Sequence, residues 1–522
     1  MSGPVAPSPG RVCVIGAGIA GLVTAKVLAE DGFEVTVYEK ETALGGTWNA
    51  SRTYPGLRAN NSKYTYAYSD YAYPKDAATH PYAEQIRGYL ESYANHFGIR
   101  PLIRFNTEVV NVAKAGQEGE SFTVTVRDRS DDAESTTEYA YVVVCNGVFH
   151  EPNVPEIKGM DAFNGRIVPA CDVTQQSYDE VRHPVIAGGG KTALDCASWA
   201  AKLDLQPTLV LRHPHWMTPR YLFGLIPADF LVVSRLSGSL LRYHTLRGWE
   251  RWLHTTGKPI VDAWWKTLSL VFPKLIGMPA RLTPPTLPAE LERVGVGGEF
   301  FTHLNAGQVD AEVGEIVSFN PDSVTLNTGQ EIATDLVIFA TGWRQNTNFI
   351  DPALRREIVG ENGHFRLYRQ ILPPSVPRMG FVGYASSFAA QMTAEIGAHW
   401  LSQCFLKGFT LPTADEMNDE IGKVHDWAAE EMPSRREGYF VGAYMTNYIN
   451  DLIEDMGLPV NRTSNVISEY LGPCFASRYA GLGDERRRVR DGGIKAIAPR
   501  PYVDAVHLAI ALAVILGVWA LW

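Results

Sequence analysis

The sequence predicts an α/β fold, and three observations lead to this prediction. Two short apolar runs, at 11–15 and at 184–187, are each followed by a glycine turn and a helix-like segment. Each unit is followed further along by a buried-looking strand that ends in another glycine turn, "YVVVCNGVF" at 141–149 and "DLVIFATGW" at 335–343. A strand, a glycine turn and a helix in this order form the phosphate-binding unit of doubly wound sheets. We therefore expect two Rossmann-like dinucleotide-binding domains, the second inserted into the first.

At 522 residues the chain is longer than one hydrophobic core usually organises, so several domains are expected. The predicted division in chain order is a disordered tail at 1–10, the first part of the first domain at 11–165, the second domain at 166–334 with a helical insertion at 216–285, the second part of the first domain at 335–410, a C-terminal helical region at 411–502 and a transmembrane or membrane-anchor helix at 503–522. The insertion holds long apolar runs and is too long for a loop between two strands.

Composition excludes several classes of function. The net charge is −10 and the body of the chain has no block of basic residues, which argues against nucleic acid as a partner. The six cysteines lie far apart with no CxxC pair and no spacing with histidine typical of a metal site, so we predict no metal. No protein partner can be inferred from the sequence.

The C-terminal segment is predicted to anchor the protein to a membrane. Residues 503–522 are almost wholly apolar after His507, and twenty helical residues span about 30 Å, enough for a bilayer core. The basic stretch at 485–501 then lies on the cytosolic face. We expect a tail-anchored protein with its body in the cytosol, at the endoplasmic reticulum. The alternative is a terminal helix packed on the body or on another subunit.

The first glycine turn, "VIGAGIAG", has the GxGxxG spacing. Gly16 makes the tight turn, Gly18 lets the backbone approach a pyrophosphate, and Gly21 lets the helix pack closely on the strand. The second strand of this unit ends in Glu39, which can accept both hydroxyls of an adenosine ribose. A carboxylate there would repel a 2′-phosphate, so the ligand is expected to be FAD or NAD rather than NADP.

The second glycine turn, "AGGGKTAL", repeats the spacing with Gly188, Gly190 and Ala193, and Thr192 in the same turn is assigned to the same site. Its second strand ends in Arg212 instead of an acid. A guanidinium can pair bidentately with a 2′-phosphate, which predicts NADPH as the second ligand. The alternative is that Arg212 is a solvated arginine at a strand end. Two turns then serve two dinucleotides, and the nicotinamide reduces the other by hydride transfer.

Several further segments resemble a known family. They are "ETALGGTWNA" with Gly46, Thr47 and Trp48, "YPGLRANNSKYTYAYSDYAYP" at 54–74, "LYRQILPPSVPRMGFVGYASS" at 367–387, and "CNG" at 145–147. Together with both glycine turns and the turn at Gly342, they resemble the class B flavoprotein monooxygenases, which include flavin-containing and Baeyer–Villiger monooxygenases. The resemblance runs from about residue 11 to about residue 410, and "CNG" in place of "ATG" at 145–147 is similar to plant and fungal members.

The resemblance implies FAD and NADPH as cofactors and O₂ as co-substrate. In this family NADPH reduces the flavin, O₂ adds to it as a C4a-(hydro)peroxide, and that species oxygenates a small molecule. The resemblance also implies that Asn60 is a catalytic residue next to the flavin edge. The apolar insertion and tail favour a lipophilic substrate, such as an intermediate of secondary metabolism. A turn role for Asn60 is the alternative, since asparagine is common in turns.

Two departures from the family pattern bear on the reaction. Pro169 stands where the family's linker carries a histidine, and Asn60 stands where Baeyer–Villiger members usually carry aspartate. The second departure favours oxygenation at nitrogen, sulfur or carbon over conversion of a ketone to an ester or lactone, which is the alternative reaction. A disulfide reductase would need a redox cysteine pair, and the sequence has no CxxC pair. A nucleotide-sensing scaffold is the non-enzyme alternative.

Overall fold

The computed structural model describes residues 9–116, 120–286, 294–432 and 440–492. Its strands are β1 (Arg11–Ile15), β2 (Glu34–Tyr38), β3 (Ile103–Arg104), β4 (Thr107–Ala115), β5 (Ser121–Asp128), β6 (Glu134–Tyr139), β7 (Tyr141–Val144), β8 (Glu151–Pro152), β9 (Arg166–Pro169), β10 (Pro184–Ala187), β11 (Thr208–Leu211), β12 (Trp216–Thr218), β13 (Tyr221–Leu222), β14 (Ile226–Pro227), β15 (Val294–Val296), β16 (Asp310–Val313), β17 (Ile316–Asn320), β18 (Ser323–Leu326), β19 (Glu331–Ala333), β20 (Leu336–Phe339), β21 (Trp343–Arg344), β22 (Met379–Phe381), β23 (Ser386–Ser387) and β24 (Phe440–Gly442).

The helices run between and after these strands. They are α1 (Ile19–Glu30), α2 (Ala83–His96), α3 (Lys191–Lys202), α4 (Asp229–Val232), α5 (Arg235–Ser239), α6 (Trp249–Leu253), α7 (Lys258–Ile276), α8 (Gly298–Asn305), α9 (Pro352–Ile358), α10 (Ala390–Phe405), α11 (Ala414–Glu431), α12 (Met445–Asp455), α13 (Val466–Leu471) and α14 (Leu482–Arg490).

The first sheet has the strand order β22-β7-β1-β2-β3, and all its pairs are parallel. Parallel strands covered on both faces read as continuous apolar runs, and Val12, Val14 and Val143 are fully buried here. Helices α1 and α10 pack against each other beside this sheet. Because β1, β7 and β22 end at the same edge, the segments that follow them meet there and build a common site.

The second sheet has the order β16-β11-β10-β20-β9, again with parallel pairs only. Its strand β20 lies between β10 and β9, with Leu336 opposite both Pro184 and Arg166. The sequence division had grouped this strand with residues 335–410, whereas its backbone is hydrogen-bonded into the sheet of the second glycine turn. A fully buried strand has the same apolar pattern in either sheet, so the pattern could not assign it.

The segment 216–285 begins with three short strands and continues with helices. Strands β13 and β14 form an antiparallel pair, β12 pairs with β15, and helices α4 to α7 follow β14. Several of its apolar side chains, including Tyr243 and Trp265, belong to the same buried cluster as the first sheet and the C-terminal helices. The insertion therefore packs against the body of the protein.

The tail-anchored localisation predicted above is corrected by the helices of the structure. Within residues 9–116, 120–286, 294–432 and 440–492, no helix is both long and apolar enough to cross a membrane. The predicted C-terminal hydrophobic helix at 503–522, and the disordered tail as far as residue 8, lie outside the described residues. The prediction of a membrane anchor rested on hydropathy alone. Hydropathy measures transfer of a segment to lipid and contains no information on tertiary packing.

Candidate functional site

A cavity of about 490 Å³ lies at the edge where β1, β7 and β22 end. Five residues predicted from the sequence line it, namely Gly16, Gly18, Glu39, Gly46 and Thr47. They come from the first glycine turn, the end of β2 and the loop that follows it. The fold thus gathers three separate motifs around one elongated space.

The glycines of the first turn are required by close backbone contacts. Gly16 has a φ of +102°, and a Cβ there would lie 2.8 Å from the carbonyl oxygen of Cys145. A Cβ on Gly21 would lie 1.8 Å from the carbonyl oxygen of Gly16. Gly21 does not line the cavity, so its role is close helix–strand packing. Gly18 ends the turn as the N-cap of α1, whose free N–H groups favour an anion.

The loop after β2 closes onto this turn. A Cβ on Gly46 would lie 3.1 Å from the Cα of Gly18, so the two backbones approach each other closely. Thr47 faces the cavity, whereas Trp48 is buried behind it and donates its indole N–H to the hydroxyl of Tyr66 at 3.0 Å. Since Tyr66 lines the cavity, Trp48 acts on the site by holding Tyr66 in place.

Glu39 is fixed at the end of β2. Its carboxylate accepts the N–H of Ala17 at 2.7 Å and the N–H of Glu41 at 2.9 Å, and the residue is 7% exposed. Burial raises the pKa of the Glu39 carboxyl, and these two backbone donors oppose that effect. Each carboxylate oxygen keeps a free lone pair for ribose hydroxyls, which fits the adenosine end of a flavin dinucleotide.

A hydrogen-bonded group of polar residues that the sequence analysis did not select reaches the cavity through Asn146 and Asn346. Asn146 and Asn346 line the cavity, and Asn146 donates its amide to the Asn346 carbonyl at 2.8 Å. Tyr384 donates to Asn146 Oδ1 at 3.1 Å, and Gln345 donates to the carbonyl of Gly147 at 2.6 Å. Asn146 could have been selected from the sequence, because it is a polar residue two positions after the buried strand β7.

A basic cluster also lines this cavity, formed by Lys40, Arg52 and His150. Lys40 Nζ lies 3.4 Å from His150 Nε2, and Arg52 donates to the carbonyl of His150 at 2.8 Å. Burial, followed by the charges of Lys40 and Arg52, lowers the pKa of His150 to about 4, so its imidazole is neutral at pH 7. No sequence motif indicated this cluster, because His150 lies 110 residues from Lys40 and 98 from Arg52 along the chain.

The second glycine turn repeats the construction of the first. Gly188 has a φ of +145°, and a Cβ there would lie 2.4 Å from the carbonyl oxygen of Ala340 at the end of β20. A Cβ on Gly190 would meet no atom within 4 Å. Gly190 is the N-cap of α3, and Thr192 lies in the first turn of that helix. This turn therefore leaves open space at a helix N-terminus, which suits a pyrophosphate.

Arg212 follows β11 directly and points away from the protein body. Its side chain is 69% exposed, and its guanidinium lies 3.8 Å from the carboxylate of Glu315. An exposed pair at this distance contributes little to stability, so the guanidinium is free to exchange Glu315 for a phosphate. The structure thus places Arg212 at the strand end where a 2′-phosphate would be recognised.

Gly342 and Asn60, like the residues of the second glycine turn, lie outside the large cavity. Gly342 has a φ of +98° in the turn after β20, and its carbonyl accepts the N–H of Asn153 at 2.9 Å. Asn60 lies in a bend after β2 and before α2, and its Oδ1 is buried without a hydrogen-bond partner among the described residues. The peptide before it is held firmly, since Ala59 donates to Pro81 and accepts from Arg220, both at 2.8 Å.

Comparison with known proteins extends these observations to the whole chain. Residues 9–483 match the model of a family described as flavin-binding monooxygenase-like. A protein of Arabidopsis thaliana named "Probable flavin-containing monooxygenase 1" is 26% identical, covering 91% of this chain and 97% of its own. A 4-hydroxybenzoate brominase (decarboxylating) of Marinomonas mediterranea is 27% identical, covering 80% of this chain and 79% of its own.

Two solved structures share the fold at low sequence identity. The S-allyl-L-cysteine S-oxygenase of Allium sativum superimposes with a TM-score of 0.59 at 19% identity, covering 97% of this chain and 98% of its own. Cyclohexanone monooxygenase from Rhodococcus sp. Phi1, bound to NADP+, gives 0.61 at 18% identity, covering 86% and 97%. Because the family model spans nearly the whole chain, the protein belongs to the flavin-binding monooxygenase-like family and is an FAD- and NADPH-dependent monooxygenase.

Proposed function

We propose that the 490 Å³ cavity holds FAD and that the part of the chain around the first sheet is the flavin domain. The close approach of Gly18 and Gly46 carries this proposal, because both glycines line the cavity and a Cβ on Gly46 would lie 3.1 Å from the Cα of Gly18. In this assignment the pyrophosphate lies at the N-terminus of α1, the adenosine ribose at Glu39, and Thr47 on the cavity wall.

NADPH is assigned to the second turn, at Gly188, Gly190, Thr192 and Arg212, in a domain built on the second sheet. The open N-terminus of α3 supports the pyrophosphate position, and the exposed guanidinium of Arg212 supports the 2′-phosphate position. Gly342 shapes the turn after β20 beside this sheet without lining the flavin cavity.

The bound cofactors supply hydride transfer and O₂ activation, so that one oxygen atom enters the substrate and the other leaves as water. The chain itself positions the cofactor. Glu39 is buried and hydrogen-bonded, and Asn146 on the cavity wall is held by a hydrogen bond from Tyr384, which in turn accepts one from Gln345.

Asn60 does not line the 490 Å³ cavity, and it is proposed as a catalytic residue on the family resemblance and on its unpaired side-chain oxygen. Buried polar atoms are nearly always hydrogen-bonded in proteins, so the unpaired Oδ1 of Asn60 calls for a ligand partner. Its amide can donate and accept without adding a charge. The backbone before it is fixed by Pro81 and Arg220, which would hold the side chain in one position.

The test of this role is Asn60→Ala beside the neighbouring control Asn61→Ala. Asn61 donates its amide to Thr65 at 3.3 Å and therefore has a structural partner. Asn60→Ala should keep FAD and be reduced by NADPH, but release hydrogen peroxide in place of oxygenated product. Asn61→Ala should lower stability without raising peroxide release. Normal coupling in fully flavinated Asn60→Ala protein would remove Asn60 from the catalytic residues.

We further propose that the substrate is a lipophilic small molecule oxygenated at nitrogen, sulfur or carbon. Exposed apolar side chains on the insertion support this class, among them Phe223, Leu225 and Trp252, because exposed apolar surface often marks a ligand or interaction site. Incubation with NADPH, ¹⁸O₂ and a panel of amines, thioethers and ketones, read by product mass, tests it. Lactone or ester formation alone, without reaction on amines or thioethers, would establish the Baeyer–Villiger alternative instead.

A further inference from the structure

Lys191 is the first residue of α3 and directly follows the N-cap Gly190. Its ammonium forms an ion pair with Asp195 one helical turn later, and its side chain is only 13% exposed. A lysine at this end of a helix is unfavourable for helix formation, because the N-terminal end of the macrodipole is positive. Burial makes the position more costly still, so an anionic partner beyond the helix would account for the residue.

The carboxylate of Asp195 has a second partner from the flavin side of the molecule. Tyr54, in the segment between β2 and α2, donates its hydroxyl to Asp195 Oδ2 at 2.9 Å. Burial raises the pKa of the Tyr54 phenol well above its usual value, so this hydroxyl stays a donor. Asp195 therefore remains hydrogen-bonded even when the Lys191 ammonium leaves it.

Positive charge is in excess around this part of α3. Arg58, Lys191 and Arg220 lie around Asp195 and Glu299, while Lys202 pairs with Glu299 from the last residue of α3. Among the residues that the structure describes, no carboxylate lies within ion-pair distance of Arg220. Burial, followed by the charges of Arg220 and Arg58, lowers the pKa of Lys191 despite its ion pair with Asp195. An anion at the helix N-terminus would relieve this excess.

We propose that Lys191 is a cofactor-binding residue whose ammonium contacts the pyrophosphate of the nicotinamide dinucleotide. This inference rests on the proposed NADPH site at the second glycine turn. The pyrophosphate is common to NADPH and NADH, whereas the 2′-phosphate that Arg212 would recognise is present in NADPH alone. The two cations thus have separable roles. Lys191 would raise the affinity for both NADPH and NADH, whereas Arg212 would favour NADPH over NADH.

The experiment is titration of the oxidised, FAD-loaded enzyme with NADP+ and with NAD+, followed by calorimetry. Lys191→Met keeps the apolar stem and should weaken both dinucleotides by a similar factor of about ten, the size typical of one lost charge-assisted contact. Lys202→Met is the matched control on the last turn of the same helix, where the side chain is 46% exposed. It should leave both affinities unchanged.

The variant Asp195→Asn distinguishes a Lys191 that binds the cofactor from a Lys191 that serves only in a structural ion pair with Asp195. If Lys191 serves the pyrophosphate, this variant keeps or strengthens binding of both dinucleotides, because the competing carboxylate charge is gone. If the pair is structural, Asp195→Asn and Lys191→Met lower binding and thermal stability alike, and the proposal is overturned. Unchanged affinity in Lys191→Met overturns it as well. Failure of the wild-type enzyme to bind NADP+ would instead refute the proposed NADPH site.

Discussion

The two glycine turns of this protein have the same backbone construction and opposite surroundings. Gly16 and Gly188 both have positive φ, and a Cβ on either would strike a carbonyl oxygen, that of Cys145 or that of Ala340. The charged residue at the end of the second strand differs. Glu39 is 7% exposed and accepts two backbone N–H groups, whereas Arg212 is 69% exposed and has only a distant pair with Glu315.

This difference bears on the proposed roles of the two dinucleotides. Hydrogen bonds to a buried charge are costly to break, so the Glu39 side suits a cofactor that stays bound. An exposed ion pair is screened by water and exchanges partners at little cost, so the Arg212 side suits a co-substrate that binds and leaves. The following experiments test this contrast, from the largest expected effect to the smallest.

The largest effect is expected from Gly21→Ala on the flavin side. Its Cβ would lie 1.8 Å from the Gly16 carbonyl oxygen, so the backbone of the turn must move. We expect a loss of at least about 3 kcal/mol in unfolding free energy together with most of the bound FAD. Gly190→Ala is the matched control, because its Cβ meets no atom within 4 Å. It should keep the flavin absorbance per protein of the wild type, and equal flavin loss in both variants would contradict the contrast.

Glu39→Ala should weaken FAD binding about a hundredfold, since it removes the ribose contact and leaves the N–H groups of Ala17 and Glu41 unpaired in a buried site. Reconstitution of the apoprotein with FAD measures this affinity. Glu39→Gln keeps one acceptor and should lose clearly less. An FAD affinity unchanged in both variants would mean that the ribose binds elsewhere.

The flavin side should also carry a pH dependence through Glu395 on α10. Burial, followed by the charge of Asp70, raises the pKa of this carboxyl to about 7, against the hydrogen bonds from Ser69 and the charge of Lys26. A raised folded-state pKa means that the stabilisation is fully present below about pH 4.5 and is lost as the pH rises through 7, by about 3 kcal/mol. Urea unfolding between pH 4.5 and 8 measures this loss, and Glu395→Gln should remove most of it. The same slope in the variant would exclude Glu395 as its source.

The smallest effect is expected at Arg212, because solvent screens its charge. Arg212→Ala should lower the preference for NADPH over NADH about tenfold in flavin reduction, through loss of one charge-assisted contact. Glu315→Ala should change the preference in the opposite direction or leave it unaltered, since it removes the competing carboxylate. An NADPH preference that survives in Arg212→Ala would show that another group reads the 2′-phosphate.

Local sequence was sufficient where one short segment contains the whole requirement. The glycine spacings at Gly16 and Gly188 follow from positive φ and close backbone approach, and both requirements are present in the structure. Glu39 was recognisable because it ends the strand after the first turn. These features depend on neighbours within a few dozen residues, so their chemistry can be read along the chain.

Long-range features could not be predicted in this way. Strand β20 could not be assigned to its sheet, because an all-buried strand has the same pattern in either sheet. The hydrogen bond from Tyr384 to Asn146 on the cavity wall joins residues 238 positions apart. The role of Trp48 also depended on packing, since the structure turns it toward Tyr66 and away from the cavity.

The sequence by itself determined that this chain folds as an α/β protein with two phosphate-binding turns, one followed by an acid and one by a base. Only the tertiary structure decided that Glu39 is enclosed and Arg212 exposed, and that Tyr54 meets Asp195 and Lys191 across 141 and 137 residues of chain. The physical reason is that residue type and spacing fix local backbone geometry, whereas burial and the partners of a charge depend on which distant segments pack beside it.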